Sequence, residues 1–355
     1  DKDANRLTSM GANINYDYKN LSTGITAVNY QLELPLEAGS QPYQKFRFSG
    51  SNLSNVSWDF NYIFQDLNIY GELALSDNGA TAQTLGLQSH PADGFYATLQ
   101  ARHFQKDYQF LYNAPFAEAG QYGETGTYLG MQWQLFPWLE LKSYLDFYRF
   151  SWLSFRADAP AHGREFLAQA DFYINRRFSA YFRFRHETRQ RNGGQETNDL
   201  KPIPELVWQQ RSNARLHAVY NLSSFWRLSS RIELSYFDEA GQSETGSVIF
   251  QDLRYRLNRI PLQLTTRLAL INTSSFDTRI YAYENDLTYA FSIPPYYGRA
   301  TRFYLLADWD ILPRLTLQGK YAISTFYDRD QIGSGMQAID GKSVSELRLQ
   351  IRWRF

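Results

Sequence analysis

The sequence predicts an all-β fold: a closed antiparallel transmembrane β-barrel of about 18–20 strands, completed by sequence upstream of this chain. Three observations predict it. The last segment is apolar at every second position (Leu347, Leu349, Ile351, Trp353, Phe355), with Glu346, Arg348, Gln350, Arg352 and Arg354 between. A strand has period two, so one face is greasy and the other charged. The chain is 17% aromatic yet has a mean hydropathy of −0.49, as expected where alternate residues face lipid and aromatic girdles mark the interfaces. Finally, short turns alternate with long loops, the asymmetry of barrels with short periplasmic turns and longer extracellular connections.

In chain order, Ile14, Tyr16 and Tyr18 share one apolar face before a turn at Lys19-Asn20. Segment 26–34 alternates next, and 43–64 reads as one long strand turning at Gln65-Asp66 into 67–76. Strands follow at 82–89 and 94–105, then a loop to Gly126. Segments 127–135 and 139–150 form a hairpin about Phe136-Pro137-Trp138, and 166–175 and 178–190 another about Arg176-Arg177. After loop 191–205 come 206–220, 227–237, 246–257 and 262–271. Segment 281–291, with Glu284-Asn285-Asp286 at its centre, reads as a short hairpin or as part of a loop. Strands 301–311 and 315–327 flank Leu312-Pro313-Arg314, and loop 328–342 precedes the last strand. No linker or shift in composition divides the 355 residues, so a single domain over 1–355 is expected.

The final strand and the strand at Ile14–Tyr18 both run towards the short-turn side. The count in this stretch is therefore odd, 17 or 19, whereas single-chain bacterial barrels are even. At least one further strand upstream is expected. Loops 105–125, 191–205 and 328–342 should share one rim, opposite the turns at 65–66, 176–177 and 312–314.

No run approaches the ~18 apolar residues of a spanning helix. The absence of cysteine excludes disulfide scaffolds and thiolate metal sites, and 36 basic against 36 acidic residues give no polyanion-binding character. The five histidines are scattered outside any nucleophile motif, and no pair has metal-ligand spacing. Neither an enzyme, a cofactor nor a metal is expected. Loop 328–342 offers Asp328, Asp330 and Asp340, but without EF-hand spacing, and reads as an Asp-fixed glycine turn.

Out of phase with the apolar faces lie Arg183, Arg185, Arg215, His217, Arg231, Glu233, Arg267, Asp308, Lys320, Arg348 and Arg352, the candidate lumen-lining set. They would form a selectivity ladder in a pore, or pair across strands and rigidify the interior. The arginines at 183, 185, 215, 231 and 267 should line one wall and bias a pore towards anions. No non-strand segment is long enough to read as an internal plug.

A terminal Phe preceded by alternating apolar residues resembles the insertion signal of bacterial outer-membrane barrels. More specifically, Arg279–Asp286 (RIYAYEND), Tyr289–Pro294 (YAFSIP), Ile332–Gly335 (IGSG), Phe46–Gly50 (FRFSG) and Tyr70-Gly71-Glu72 resemble the C-terminal barrel of large Bacteroidota outer-membrane proteins carrying an upstream helix-hairpin-helix module. The likeness spans nearly the whole chain and is most specific over 279–294. It implies an outer-membrane location, with lipid, lipopolysaccharide and the barrel-assembly machinery as partners, and upstream sequence beyond this chain. The helical hairpins of that module are not visible here, so nucleic-acid binding is not supported. The expected function is a porin-like transport channel. The alternative is an assembly barrel that anchors periplasmic domains or docks partners in an outer-membrane complex linked to DNA uptake or secretion.

Overall fold

The computed structural model describes residues 5–112, 115–118, 123–193 and 204–355. The described residues are all-β, without an α-helix. Parts of the 105–125 and 191–205 loops lie outside them. Two compact units are distinguished: residues 1–135, 141–167 and 187–209, and residues 136–140, 168–186 and 210–355.

In the first unit, β1 (Leu7–Tyr18), β2 (Leu21–Leu36), β3 (Gly50–Phe64), β4 (Leu67–Ser76), β5 (Thr81–Ala92), β6 (Phe95–Phe104) and β7 (Glu124–Phe136) pair antiparallel in chain order. The expected strand over 43–64 begins only at Gly50, because Pro42–Gln44 forms a 3₁₀ turn ahead of it. A proline cannot donate to a ladder, and its fixed φ suits the first turn instead. Then come β8 (Leu139–Phe150), β9 (His162–Phe172), β10 (Phe178–Asn192) and β11 (Leu206–Asn221).

In the second unit, β12 (Trp226–Glu239), β13 (Gln242–Arg256), β14 (Leu262–Thr273), β17 (Arg299–Leu312), β18 (Leu315–Phe326) and β21 (Ser343–Trp353) pair antiparallel in that order. Two-residue strands β15 (Ile280–Tyr281) and β16 (Pro295–Tyr296) pair within the 274–298 connection. A second small pair, β19 (Gln331–Ile332) and β20 (Ile339–Asp340), sits in the last loop. Among the described residues seventeen strands thus have ten or more residues, the odd number the alternation requires.

Antiparallel order sorts the connections. In the first unit the turns at 19–20, 65–66 and 93–94 share an end, where Ile63 N–H donates to Asn20 O (2.9 Å) and His90 N–H to Asp66 O (3.1 Å). Segments 77–80 and 105–112 meet at the other end through Asn78 Nδ2 and Asp107 O, 2.7 Å apart. The second unit repeats this. Asp310 N–H donates to Pro261 O (3.0 Å) and Arg354 N–H to Arg314 O (2.9 Å) at the short turns. Opposite them, Tyr327 N–H donates to Arg299 O (2.7 Å) and Ser274 N–H to Thr245 O (2.9 Å).

The two faces of each strand differ as the period requires. Leu268, Leu270, Leu305, Tyr321, Leu347, Leu349, Ile351 and Trp353 are exposed, and Phe355 is exposed at the terminus. Directly opposed pairs share a face, so Arg231, Phe250, Ala269, Arg302 and Ser324 form one row on the other side. That row is covered, with Phe250, Ala269 and Ser324 buried.

Gly298 ends the 274–298 connection at φ +77°, and its N–H donates to Thr273 Oγ1 at 2.7 Å. A Cβ there would stand 2.3 Å from Arg329 Nη2 and 2.8 Å from Asp328 Oδ2. Gly298→Val should therefore destabilise the protein by about 1–3 kcal/mol, read as a lower denaturant midpoint. An unchanged midpoint would contradict the left-handed turn.

Candidate functional site

The 274–298 connection does not project outward. It lies along the polar face of β13, β14, β17 and β18, and its extended stretch keeps the period of a strand. Ile280, Ala282 and Glu284 are 1%, 1% and 0% exposed, while Tyr281 and Tyr283 stand near half exposure. Ile280, Ala282 and Tyr296 complete an apolar cluster with Val248, Phe250, Ala269, Ile271, Ala300 and Phe326 from the sheet. Tyr296 is buried at 1%. No non-strand segment was expected to be long enough for a plug, yet this connection packs on the polar face of the sheet. Length alone marks 274–298 as a surface loop, whereas the alternation of Ile280, Ala282 and Glu284 is the signal that it packs on a wall.

The segment brings two carboxylates to a basic surface. Arg302 clamps Glu284 through Nε and Nη2 at 2.5 and 2.8 Å, and Tyr296 Oη donates to Glu284 Oε1 at 2.7 Å. Lys320 Nζ lies 3.4 Å from Glu284 and 3.2 Å from Asp286, and Arg348 Nη1 donates to Asp286 at 2.8 Å. Burial alone would raise the Glu284 carboxyl, but the Arg302 hydrogen bond and charge, Tyr296 and Lys320 hold it below its ordinary value. Backbone contacts extend the seam: Arg267 Nη1 donates to Tyr283 O (2.8 Å) and Thr288 N–H to Gln318 Oε1 (2.9 Å).

Most of the sequence-selected polar residues are engaged here or nearby. Arg267 grips Asp252 at 2.5 and 2.7 Å and faces the Phe250 ring at 3.8 Å. Arg215 is bidentate on Glu233 at 2.7 and 2.8 Å. Arg183 Nε donates to Gln169 Oε1, and Arg185 is half-buried. His217 Nε2 lies 3.3 Å from Ser229 Oγ and its ring sits against Tyr181. Arg231 lies over Phe250 at 5.0 Å, its Nε buried without a hydrogen-bond partner among the described residues. Arg352 reaches Thr316 Oγ1 at 3.2 Å, and Asp308 stands opposite Gln318 at the half-exposed end of β17. In the last loop, Asp328 is taken up by Arg329 and by the Arg299 N–H, and Asp330 by Lys342.

Sequence reasoning missed a second cluster, in the first unit. Arg102 is buried between Glu124 (2.6 Å) and Asp146 (2.9 and 3.0 Å). Its only sequence signal is a single arginine in phase with Gln100 and Phe104 on β6. The 115–118 segment folds onto it, with the Phe116 ring 5.4 Å from the guanidinium and Glu118 N–H donating to Glu124 at 3.0 Å. Partial burial, then the charges of Glu165, Asp146, Glu187 and Glu124, hold the Glu118 carboxyl up at about 7.

No family model and no curated protein matches the sequence. Among solved structures the chain is similar to the copper transporter OprC (11% identity, 97% of this chain and 73% of that one, TM-score 0.48). It is also similar to the FrpB iron transporter from Neisseria meningitidis (10%, 99% and 63%, TM-score 0.49) and an anion-selective porin from Comamonas acidovorans (12%, 99% and 100%, TM-score 0.41). At this level of identity and overlap they assign neither a family nor a solute.

Removing one partner from a buried charge cluster leaves the other charge uncompensated, at about 3–5 kcal/mol. Lys320→Met should cost that much in unfolding free energy and open 274–298 to protease. Lys320→Arg should retain most of the stability. Equal behaviour of the two variants would contradict the ion-pair anchor.

A carboxyl shifted upward contributes stability that is complete below its ordinary value of 4.5 and is lost as pH rises through about 7. Amide exchange at Glu118, corrected for the intrinsic rate, should therefore accelerate across that window. Glu118→Gln should remove the dependence, and a flat wild-type profile would refute the assignment.

Proposed function

We propose that the chain is an integral outer-membrane β-barrel protein that works as a pore for small solutes, narrowed by the in-folded 274–298 segment. The observation that carries this reading is the single continuous apolar face: Ile249, Leu268, Leu270, Leu305, Leu347 and Leu349 are all at least 40% exposed. In water such a face would be an aggregation surface, and in hydrocarbon it is the required one. The same medium demands closure, because unpaired edge groups cost several kcal/mol each. The strands would close with sequence upstream of this chain, their polar face towards water. The alternating terminal strand ending at Phe355 serves the assembly machinery as the insertion signal, and lipid and lipopolysaccharide are the outer partners.

On the polar face the arginines are largely neutralised by Asp252, Glu233, Glu284 and Asp286. The pore is accordingly weakly selective rather than strongly anionic in preference. The covered wall beneath 274–298 favours a second reading, a barrel that anchors or docks partners and conducts nothing. Planar-bilayer recording separates the two. Steady conductance that rises when Lys320→Met loosens the segment supports the pore, and silence in both proteins supports the anchor.

The membrane reading also fixes the sign of a surface substitution. Leu270→Arg, mid-strand on the apolar face, should cost about 2–4 kcal/mol in a bilayer. The same change on a water-exposed sheet face would be close to neutral, and that result would defeat the proposal.

A further inference from the structure

We propose that β4–β8 of the first unit build a binding site for a neutral sugar, whose wall contains none of the paired charges of the Arg102 cluster. A cavity of about 560 Å³ opens on the polar face of these strands, within the ~300–1,000 Å³ range of small-molecule sites. The register sets its wall: Asn68 stands opposite Gln88, Gln88 opposite Thr98 and Thr98 opposite Gly130. Three strands thus present an amide or hydroxyl in one row, and the fourth presents no side chain. The missing side chain is what leaves room. A Cβ at Gly130 would approach the Tyr128 ring to 2.8 Å, so the ring leans into the space glycine vacates.

The chemistry of the wall selects the ligand. Asn68, Gln88 and Gln132 carry primary amides, which offer a donor and an acceptor side by side, as vicinal sugar hydroxyls do. Tyr96, Tyr128 and Tyr144 add phenol rings, whose flat faces suit the C–H faces of a pyranose. Tyr96 is held flat by stacking on His90, ring centroids 4.5 Å apart at 11°. Formal charge is nearly absent, with Asp66 and Lys142 balancing each other, so nothing there favours an ionic solute.

A second observation points the same way. Asn68 Oδ1 and His90 Nε2 are buried in this wall without a hydrogen-bond partner among the described residues. Buried polar atoms are rarely left unpaired in folded proteins. A hydroxyl ligand, able to donate and to accept, would answer both.

The test is calorimetric titration of the full chain in detergent with glucose, maltotriose, cellobiose and N,N′-diacetylchitobiose, and with citrate as the charged control. At least one sugar should bind saturably with a Kd below about 10 mM. Gln88→Leu and Tyr96→Ala should each weaken it about tenfold or more, with folding checked by circular dichroism. Absence of saturable binding for all four sugars overturns the proposal, as does sugar binding that neither folded variant alters, or tighter binding of citrate. The wild-type titration needs no variant, so a misfolded mutant cannot obscure the result. Binding in detergent does not require conduction, so failure here and failure of the pore reading are distinguishable.

Discussion

Glu284 and Asp286 reach their cations from a connection, not from a strand, and much of the second unit follows from that. Without them Arg302, Lys320 and Arg348 would face one another across β17, β18 and β21 with little acid between. With them, like charge becomes a seam, and the seam holds 274–298 against the sheet. The apolar cluster of Ile280, Ala282 and Tyr296 with Phe250 and Ile271 adds area to the same contact. Ion pairs of this kind gain little over apolar packing but are costly to break. They fix where the segment lies more than they add to total stability.

The same logic recurs in the first unit with the signs exchanged. There one buried arginine, Arg102, gathers Glu124 and Asp146, and the 115–118 segment covers it through Phe116 and the Glu118 amide. In both units a connection from the long-loop end turns back over the polar face and completes the coordination of charges that the strands alone leave unbalanced. In the second unit the connection supplies the counter-charge, whereas in the first the strands supply it and the connection covers it with Phe116 and the Glu118 amide.

Strand periodicity was legible in the sequence because it is local. The alternation of Leu347, Leu349, Ile351 and Trp353, or of Arg302 and Tyr304 against Phe303 and Leu305, needs only neighbouring residues to be read. The odd strand number followed from the same alternation. What could not be read was which connection packs on the polar face of the sheet, since that depends on partners far apart in sequence. Asp286 and Arg348 meet only once the register of β17, β18 and β21 is set. Arg102 escaped notice for the same reason, its carboxylates lying on β7 and β8. The strand start was set too early, at 43 rather than Gly50, because the 3₁₀ turn that Pro42 begins runs on to Gln44.

The central claim is that the alternating apolar face meets lipid and the opposite face, with 274–298 on it, meets water. The absence of native cysteine makes single-site labelling clean. Leu270→Cys, Leu305→Cys and Tyr283→Cys proteins, each carrying one fluorophore and reconstituted in vesicles, can be quenched by nitroxide lipids or by aqueous iodide. The account predicts lipid quenching at 270 and 305 and iodide quenching at 283. Iodide quenching at all three positions, without lipid quenching at any, would contradict it.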